Sequence, residues 1–249
     1  MMKLVGKEFK DIKDEKYLRV FYNVMSKIGE QYGPIVTKEG KSPFKKEICE
    51  RNYIIYISFI LGCMYGNKLL ESKDYINGEI YKHLNSFSDK SKDAYEKFLK
   101  FKNSRKKKEG GQNEQLFDDL NVRPDFVIHD SHSEDYETIG QKLIVEAKSS
   151  LYLDDVDFCW DLMKLNFYLE KLKFHNCIYM IVNTTKTEIQ KMIDLYTTNI
   201  NYYSNDLPNL WFFVQNQDKD QMLPVELYQL SKVEDDKDST KKTETIYTE

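Results

Sequence analysis

The stretch from Arg123 to Ser150, RPDFVIHDSHSEDYETIGQKLIVEAKSS, puts charges where strands normally exclude them. Phe126, Val127 and Ile128 make one apolar run, and Leu143, Ile144 and Val145 make a second. Strand side chains alternate faces with a period of two. Leu143, Val145 and Ala147 therefore share one face, and Ile144, Glu146 and Lys148 share the other. A carboxylate and an ammonium thus project side by side from the end of an otherwise apolar strand. Asp125, directly after Pro124, begins the first strand. Pairing the two strands can bring Asp125 near Glu146, gathering two carboxylates and one lysine at one sheet end.

Two close carboxylates repel, and one is expected to keep its proton. A hard divalent cation, Mg²⁺ or Mn²⁺, relieves that repulsion; Mg²⁺ prefers carboxylate oxygen and keeps several waters. A protonated lysine is no ligand. Lys148 can instead orient or deprotonate an attacking water, or neutralise charge on a phosphate. These parts suit hydrolysis of a phosphodiester. The plain structural alternative is a proline turn, a surface aspartate and a strand-end ion pair, and exposed ion pairs contribute little.

The elements that must position these residues follow from the rest of the chain. Its 249 residues fit one domain with extensions. A hydrophobic content of 41% and an aromatic content of 14% support a packed core. A formal charge of -4 excludes a generally basic nucleic-acid coat, so any such contact needs a local patch. Cys49, Cys63, Cys159 and Cys177 lack zinc spacing and read as free thiols in a reducing compartment, the cytoplasm. No secretory apolar region opens the chain. The uncharged run Tyr53 to Tyr65 is too short for a membrane span and reads as a buried helix.

Leu18, Phe21, Tyr22, Met25 and Ile28 recur at helical spacing and predict a helix over 14–32, closed by Gly33-Pro34. Residues 34–42 read as a linker. Gly40-Lys41-Ser42 is no P-loop, because Ile35 stands where that pattern needs glycine. Ser42 as N-cap and Pro43 at the first helical position open a helix running to about Tyr65. Glu50 extends its stripe of Ile54, Ile57 and Leu61. Glu47 and Glu50 can both simply complement the helix dipole.

A helix is expected around Asp89 to Phe101. The basic run Lys97, Lys100, Lys102, Arg105, Lys106, Lys107 and Lys108 follows its surface into Gly110-Gly111. It reads as a solvated helix end or, alternatively, as a phosphate contact. The interleaved Tyr95, Phe98 and Phe101 sit at helical spacing and suggest packing more than base stacking. A short strand is expected over 115–120. Residues 156–173 predict a helix lined by Leu162, Leu165, Leu169 and Leu172, with Asp161 and Lys164 three apart and able to pair on its surface. Further strands are expected over 177–183 and 210–215, with a helix over 187–200 between them. Residues 231–249 are charged and aperiodic and read as a disordered tail. His83, His129, His132 and His175 form no helical metal pair; His129 shares the face of Asp125 in the period-two reading.

Pro124-Asp125 followed by Glu146-Ala147-Lys148 resembles the signature of the PD-(D/E)XK nuclease superfamily, the restriction-endonuclease-like fold. The element order over 43–183 is similar to that core, α-β-β-β-α-β, a mixed sheet flanked by helices. The resemblance implies an α/β nuclease-like domain over 43–230, with residues 1–42 as an N-terminal helical extension. It implies metal binding by Asp125 and Glu146 and catalysis by these two with Lys148. It further implies an additional acid, Glu50, with Glu47 and Glu114 as substitutes. Asp161 and Lys164 are similar to the supporting acid and lysine on the following helix. The expected activity is Mg²⁺- or Mn²⁺-dependent hydrolysis of nucleic acid, DNA foremost, with Lys106, Lys107 and Lys108 as phosphate contacts and a homodimer left open. The competing expectation is a catalytically inactive nucleic-acid-binding or protein-interaction module on the same fold.

Overall fold

A computed structural model of the chain describes residues 1–31, 45–71, 74–77, 82–85, 88–105, 119–130, 140–149, 153–218 and 221–232. The chain begins with β1 (Met2–Lys7), α1 (Lys16–Gln31) and α2 (Lys45–Glu71). Two short strands follow, β2 (Asp74–Asn77) and β3 (Lys82–Asn85), then α3 (Asp89–Arg105) and β4 (Asp119–Val122). The central strands are β5 (Phe126–Asp130) and β6 (Gln141–Ser149), followed by α4 (Asp155–Lys171) and β7 (Asn176–Val182). Then come α5 (Lys186–Asn199), β8 (Leu210–Gln215), a small hairpin of β9 (Gln217–Asp218) and β10 (Gln221–Met222), and β11 (Glu226–Lys232).

Seven strands form one mixed sheet in the order β1-β11-β8-β7-β6-β5-β2. β6, β7 and β8 run parallel, and the other pairs are antiparallel. Every residue of β7, NCIYMIV, is buried, as expected of a strand covered on both faces. One face carries Val127, Ile144, Tyr179 and Phe212 under α3, α4 and α5. The other carries Phe126, Val145, Met180 and Phe213 under α1 and α2. Alternation along the strands thus produces two cores from one sheet.

Local signals start the helices of the first face. The Asp154 side chain caps α4 by accepting from the amides of Val156 and Asp157 at 2.9 and 3.0 Å. Thr185 caps α5 by accepting from the Glu188 amide at 3.2 Å. On α3, Phe98 stacks on Trp160 of α4 with ring centroids 5.2 Å apart, and Tyr95 lies 6.1 Å from the same ring. These aromatics pack, as their helical spacing suggested.

The structure departs from the sequence reading in four places. The first concerns residues 1–42, read as a helical extension: β1 pairs with β11 at the sheet edge, and α1 buries Leu18, Phe21 and Ile28 against the second face. Gln190 of α5 covers that edge. Its Oε1 accepts from the Leu4 amide at 2.8 Å, and its Nε2 donates to the Met2 carbonyl at 3.1 Å, occupying strand-edge groups that invite pairing with another chain. Second, the strand beside β5 is β2, whereas β4, at the place of the strand expected over 115–120, pairs with β3 in a separate ribbon. Third, β11 reaches into the expected tail as far as Lys232; residues 233–249 lie outside the described residues. Fourth, α2 buries Tyr53, Ile57, Ile60 and Leu61 but leaves Ile55 and Phe59 exposed, so its apolar run is only half covered by the described residues. Among the described residues no helix is long and apolar enough to cross a membrane.

Phe21 joins α1 to the sheet, with Phe126 and Phe213 at ring-centroid distances of 5.9 and 6.0 Å and no exposed surface of its own. Phe21→Ala should therefore cost about 3–5 kcal/mol in urea denaturation. A loss below about 1 kcal/mol would mean that α1 lies outside the cooperative unit.

Candidate functional site

β5 and β6 are antiparallel, with Phe126 opposite Val145. Extending that register by one residue sets Asp125 opposite Glu146. The Asp125 Oδ2 atom accepts from the Ala147 amide at 2.7 Å, which ties its carboxyl to the backbone between Glu146 and Lys148. Leu143, Val145 and Ala147 enter the core under α1 and α2, and Ile144 enters the other. Glu146 and Lys148 share the face of Ile144, as the alternation predicted, and that face meets α4.

α4 supplies the partners. Asp161, Lys164 and Tyr168 recur at steps of three and four, so they form one stripe on the helix. Lys164 Nζ lies 2.7 Å from Glu146 Oε2 and 2.9 Å from Asp161 Oδ1. Lys148 Nζ lies 3.0 Å from Asp161 Oδ2. The Tyr168 hydroxyl donates to Glu146 Oε1 at 2.9 Å, and Tyr179 of β7 donates to Asp161 Oδ2 at 3.4 Å. The result is a continuous chain of alternating charge, Glu146 to Lys164 to Asp161 to Lys148, with Asp125 beside it.

Asp161 and Lys164 were read as able to pair on the helix surface. They are buried instead, because α4 is covered on one side by the sheet and on the other by α3 and α5. Tyr168 was missed; the pattern Asp161-x-x-Lys164-x-x-x-Tyr168 carried its signal at helical spacing. The side chain of Lys148 keeps 26% of its surface, and Asp125 is partly exposed, so solvent meets the network at these two residues.

Burial sets the electrostatics. Glu146 is 2% exposed, and loss of solvent pushes its carboxyl from the ordinary 4.5 up to about 8; Lys164 pulls it down, while Asp161 and Asp125 push it further up. Burial also raises Asp125, against the pull of the Ala147 amide. Burial alone would lower Lys164, but Asp161 and Glu146 hold it above the ordinary lysine range. The two shifts of the Glu146–Lys164 pair point to different states, a neutral acid and a charged amine. Asp161 reconciles them, because its carboxylate favours the charged form of Lys164 independently of Glu146.

Glu50 lies within α2, on the helix layer of the opposite face; its side chain lies outside the described residues, as do that of Glu47 and all of Glu114. Lys106, Lys107 and Lys108 also lie outside them. Two described members of the basic run are engaged locally. Lys97 pairs with Asp93 at 2.6 Å, and Arg105 reaches Asp155 at 3.3 Å. His129 sits beyond a bulge in β5, hydrogen-bonded to Asn77 and stacked near Tyr75, at the far end of the strand from Asp125. His132 lies outside the described residues, and His175 meets Glu15 at 3.2 Å, away from the network. Cys63, Cys159 and Cys177 are free thiols.

Among the described residues no group of three or more His, Cys, Asp or Glu side chains is arranged to hold a metal ion. Mg²⁺ needs less from a protein, commonly one or two carboxylates with waters and substrate phosphates completing its shell. Asp125, partly exposed just before β5, and Glu146 opposite it are oxygen donors of that kind, and a bound ion would share Glu146 with Lys164 and Tyr168. No protein family matches the chain, and no curated protein or solved structure matches it.

The raised Glu146 carboxyl has a consequence for stability. With its carboxyl raised, folded Glu146 keeps up to about pH 8 a proton that the unfolded chain releases near pH 4.5. The stability it contributes is full below that pH and is lost as pH rises through about 8. In EDTA, wild type should lose stability across this window more steeply than Glu146→Gln, as read from urea midpoints. Parallel pH profiles would show that Glu146 is ionised throughout.

Proposed function

We propose that this chain is a metal-dependent nuclease of the PD-(D/E)XK type, hydrolysing phosphodiester bonds of nucleic acid, with DNA the expected substrate. One observation carries the reading: Glu146 and Lys148 share a strand face and are linked through Lys164 and Asp161 of the next helix, with Asp125 held beside them by the Ala147 amide. The arrangement of α2, β2, β5, β6, α4 and β7 supports it. It follows the α-β-β-β-α-β order, with β2, β5, β6 and β7 side by side in chain order and the β3–α3–β4 segment inserted.

In this reading Asp125 and Glu146 hold Mg²⁺ or Mn²⁺ through carboxylate oxygens. When bound, the ion supplies Lewis-acid polarisation of the phosphate. Asp161 fixes the Lys148 amine within reach of the partly exposed end of the site. From there the amine can orient the attacking water and neutralise charge on the phosphate. Lys164 and Tyr168 hold the Glu146 carboxylate in one orientation.

A second reading is favoured by the same contacts. Both Glu146 oxygens already accept from protein donors, as in a self-sufficient structural network, and a catalytically inactive binding module on this fold would look alike.

Lys148→Ala separates the two. Asp161 keeps Lys164 as a partner, so the fold should persist. In single-turnover assays with Mg²⁺ on single- and double-stranded DNA and RNA, wild type should cut in the absence of EDTA. Lys148→Ala should lose about 10²–10⁴-fold in rate while still binding nucleic acid. Lys148→Arg preserves the charge but cannot serve as a base, so partial rescue marks an orienting role. A wild type that binds and never cuts any of these substrates would establish the binding module. Equal rates for wild type and Lys148→Ala would make Lys148 structural.

Joint replacement of Asp125 and Glu146 by Ala should abolish Mn²⁺ binding in calorimetry. Equal affinities for wild type and the double variant would place the ion elsewhere.

A further inference from the structure

Lys164 orients Glu146, and its charge also bears on any cation that Glu146 would hold. Its ammonium sits between Glu146 Oε2 at 2.7 Å and Asp161 Oδ1 at 2.9 Å, with 9% of its side chain exposed. That is a cation already resting on one of the two carboxylates assigned to the metal. It projects from the middle of α4, and two acids hold it.

The charges make this consequential. In the ionised form that a metal ion requires, Asp125, Glu146 and Asp161 face Lys148 and Lys164, which leaves one negative charge. A divalent ion turns that into one positive charge in excess. In a region this poorly solvated such an excess is costly, because Coulomb terms are several-fold stronger than in water. A phosphodiester carries a single negative charge and restores neutrality.

We infer that Lys164 is a resident counter-cation, keeping the affinity of Asp125 and Glu146 for a divalent ion low until a nucleic-acid phosphate arrives, so that ion and nucleic acid bind with positive cooperativity. The inference rests on the metal-dependent nuclease reading of the same site. It deepens that reading by assigning the order in which the site becomes competent. By linkage the effect is reciprocal, and the ion must tighten nucleic-acid binding by the same factor.

The test is calorimetric and independent of cleavage. Mn²⁺ is titrated into EDTA-stripped wild type, Lys164→Met and Asp161→Asn. Each is measured alone and with a saturating phosphorothioate duplex, which keeps its charge and resists hydrolysis. Wild type should bind Mn²⁺ about tenfold or more tightly with the duplex present. Without the duplex, Lys164→Met should bind Mn²⁺ about tenfold or more tightly than wild type, and should gain little from adding it. Asp161→Asn removes a negative charge and should shift Mn²⁺ affinity the opposite way. It carries the test alone if Lys164→Met does not fold. A folded Lys164→Met with wild-type affinity, or Asp161→Asn with wild-type affinity, would overturn the counter-cation role and leave the nuclease reading standing. Absence of Mn²⁺ binding in every protein, with and without duplex, would overturn both.

Discussion

The contact on which the site depends is the buried bridge made by Lys164, which donates to Glu146 and pairs with Asp161. Charges removed from water carry a desolvation cost of several kcal/mol each, and only close, complete pairing offsets it. The contacts around Glu146 meet that condition. One carboxylate oxygen accepts from Lys164, the other from Tyr168, and the lysine in turn reaches a second acid. Losing one member leaves a buried charge without its partner, so the positions of β6 and α4 are fixed relative to each other by chemistry as well as by packing.

That constraint runs through the fold. β6 must be central, with β5 on one side and β7 on the other, for Glu146 to be covered by the sheet. α4 must lie over it with Asp161, Lys164 and Tyr168 facing inward, which forces its remaining apolar surface outward. α3 and α5 cover that surface, through contacts such as Phe98 on Trp160. The opposite core under α1 and α2 is largely apolar, with a buried hydrogen bond from Tyr53 to Gln215, and it receives Val145 and Ala147 from β6 and Met180 from β7. One sheet thus separates a face that buries a charged network from a largely apolar one. Burial also favours a proton on Glu146, which eases the repulsion among the acids near Asp125.

The placement of Glu146 and Lys148 on one strand face was legible in the sequence, since strand periodicity is strict and the flanking residues are unambiguously apolar. The neighbourhood of Asp125 and Glu146 was legible for the same reason. Asp161 and Lys164 were misjudged because a charged pair at helical spacing carries no sign of which side it faces. Leucines at 162, 165 and 169 gave α4 an apolar side without revealing that its other side was buried too. Tyr168 was lost among apolar neighbours, since an aromatic mid-helix reads as core. β1, β2 and β11 escaped notice for another reason. They lie at or near the sheet margins, and β2 is only four residues long with polar ends. Their pairing is decided by distant partners, Met2 with Lys232 and Asp74 with Asp130, which no local pattern encodes.

The composition of the network argues about its purpose. If the only task under α4 were cohesion, apolar residues of similar volume would serve at least as well, since replacing a buried ion pair by well-packed hydrophobes is often neutral or stabilising. Here two carboxylates, two lysines and two tyrosine hydroxyls are linked by hydrogen bonds and ion pairs between a sheet and a helix, with a third carboxylate, Asp125, held beside them by the Ala147 amide. Local rules of core composition are broken at several adjacent positions at once, and such departures concentrate where a protein does its chemistry. The break is also directional. The fully enclosed members, Glu146 and Asp161, lead to Lys148 and Asp125, the two that meet solvent. A network built to lock a helix would gain nothing from ending at the surface in an amine and a carboxylate. One built to present those groups to a charged ligand, at fixed positions and with their counter-charges held behind them, would have this order.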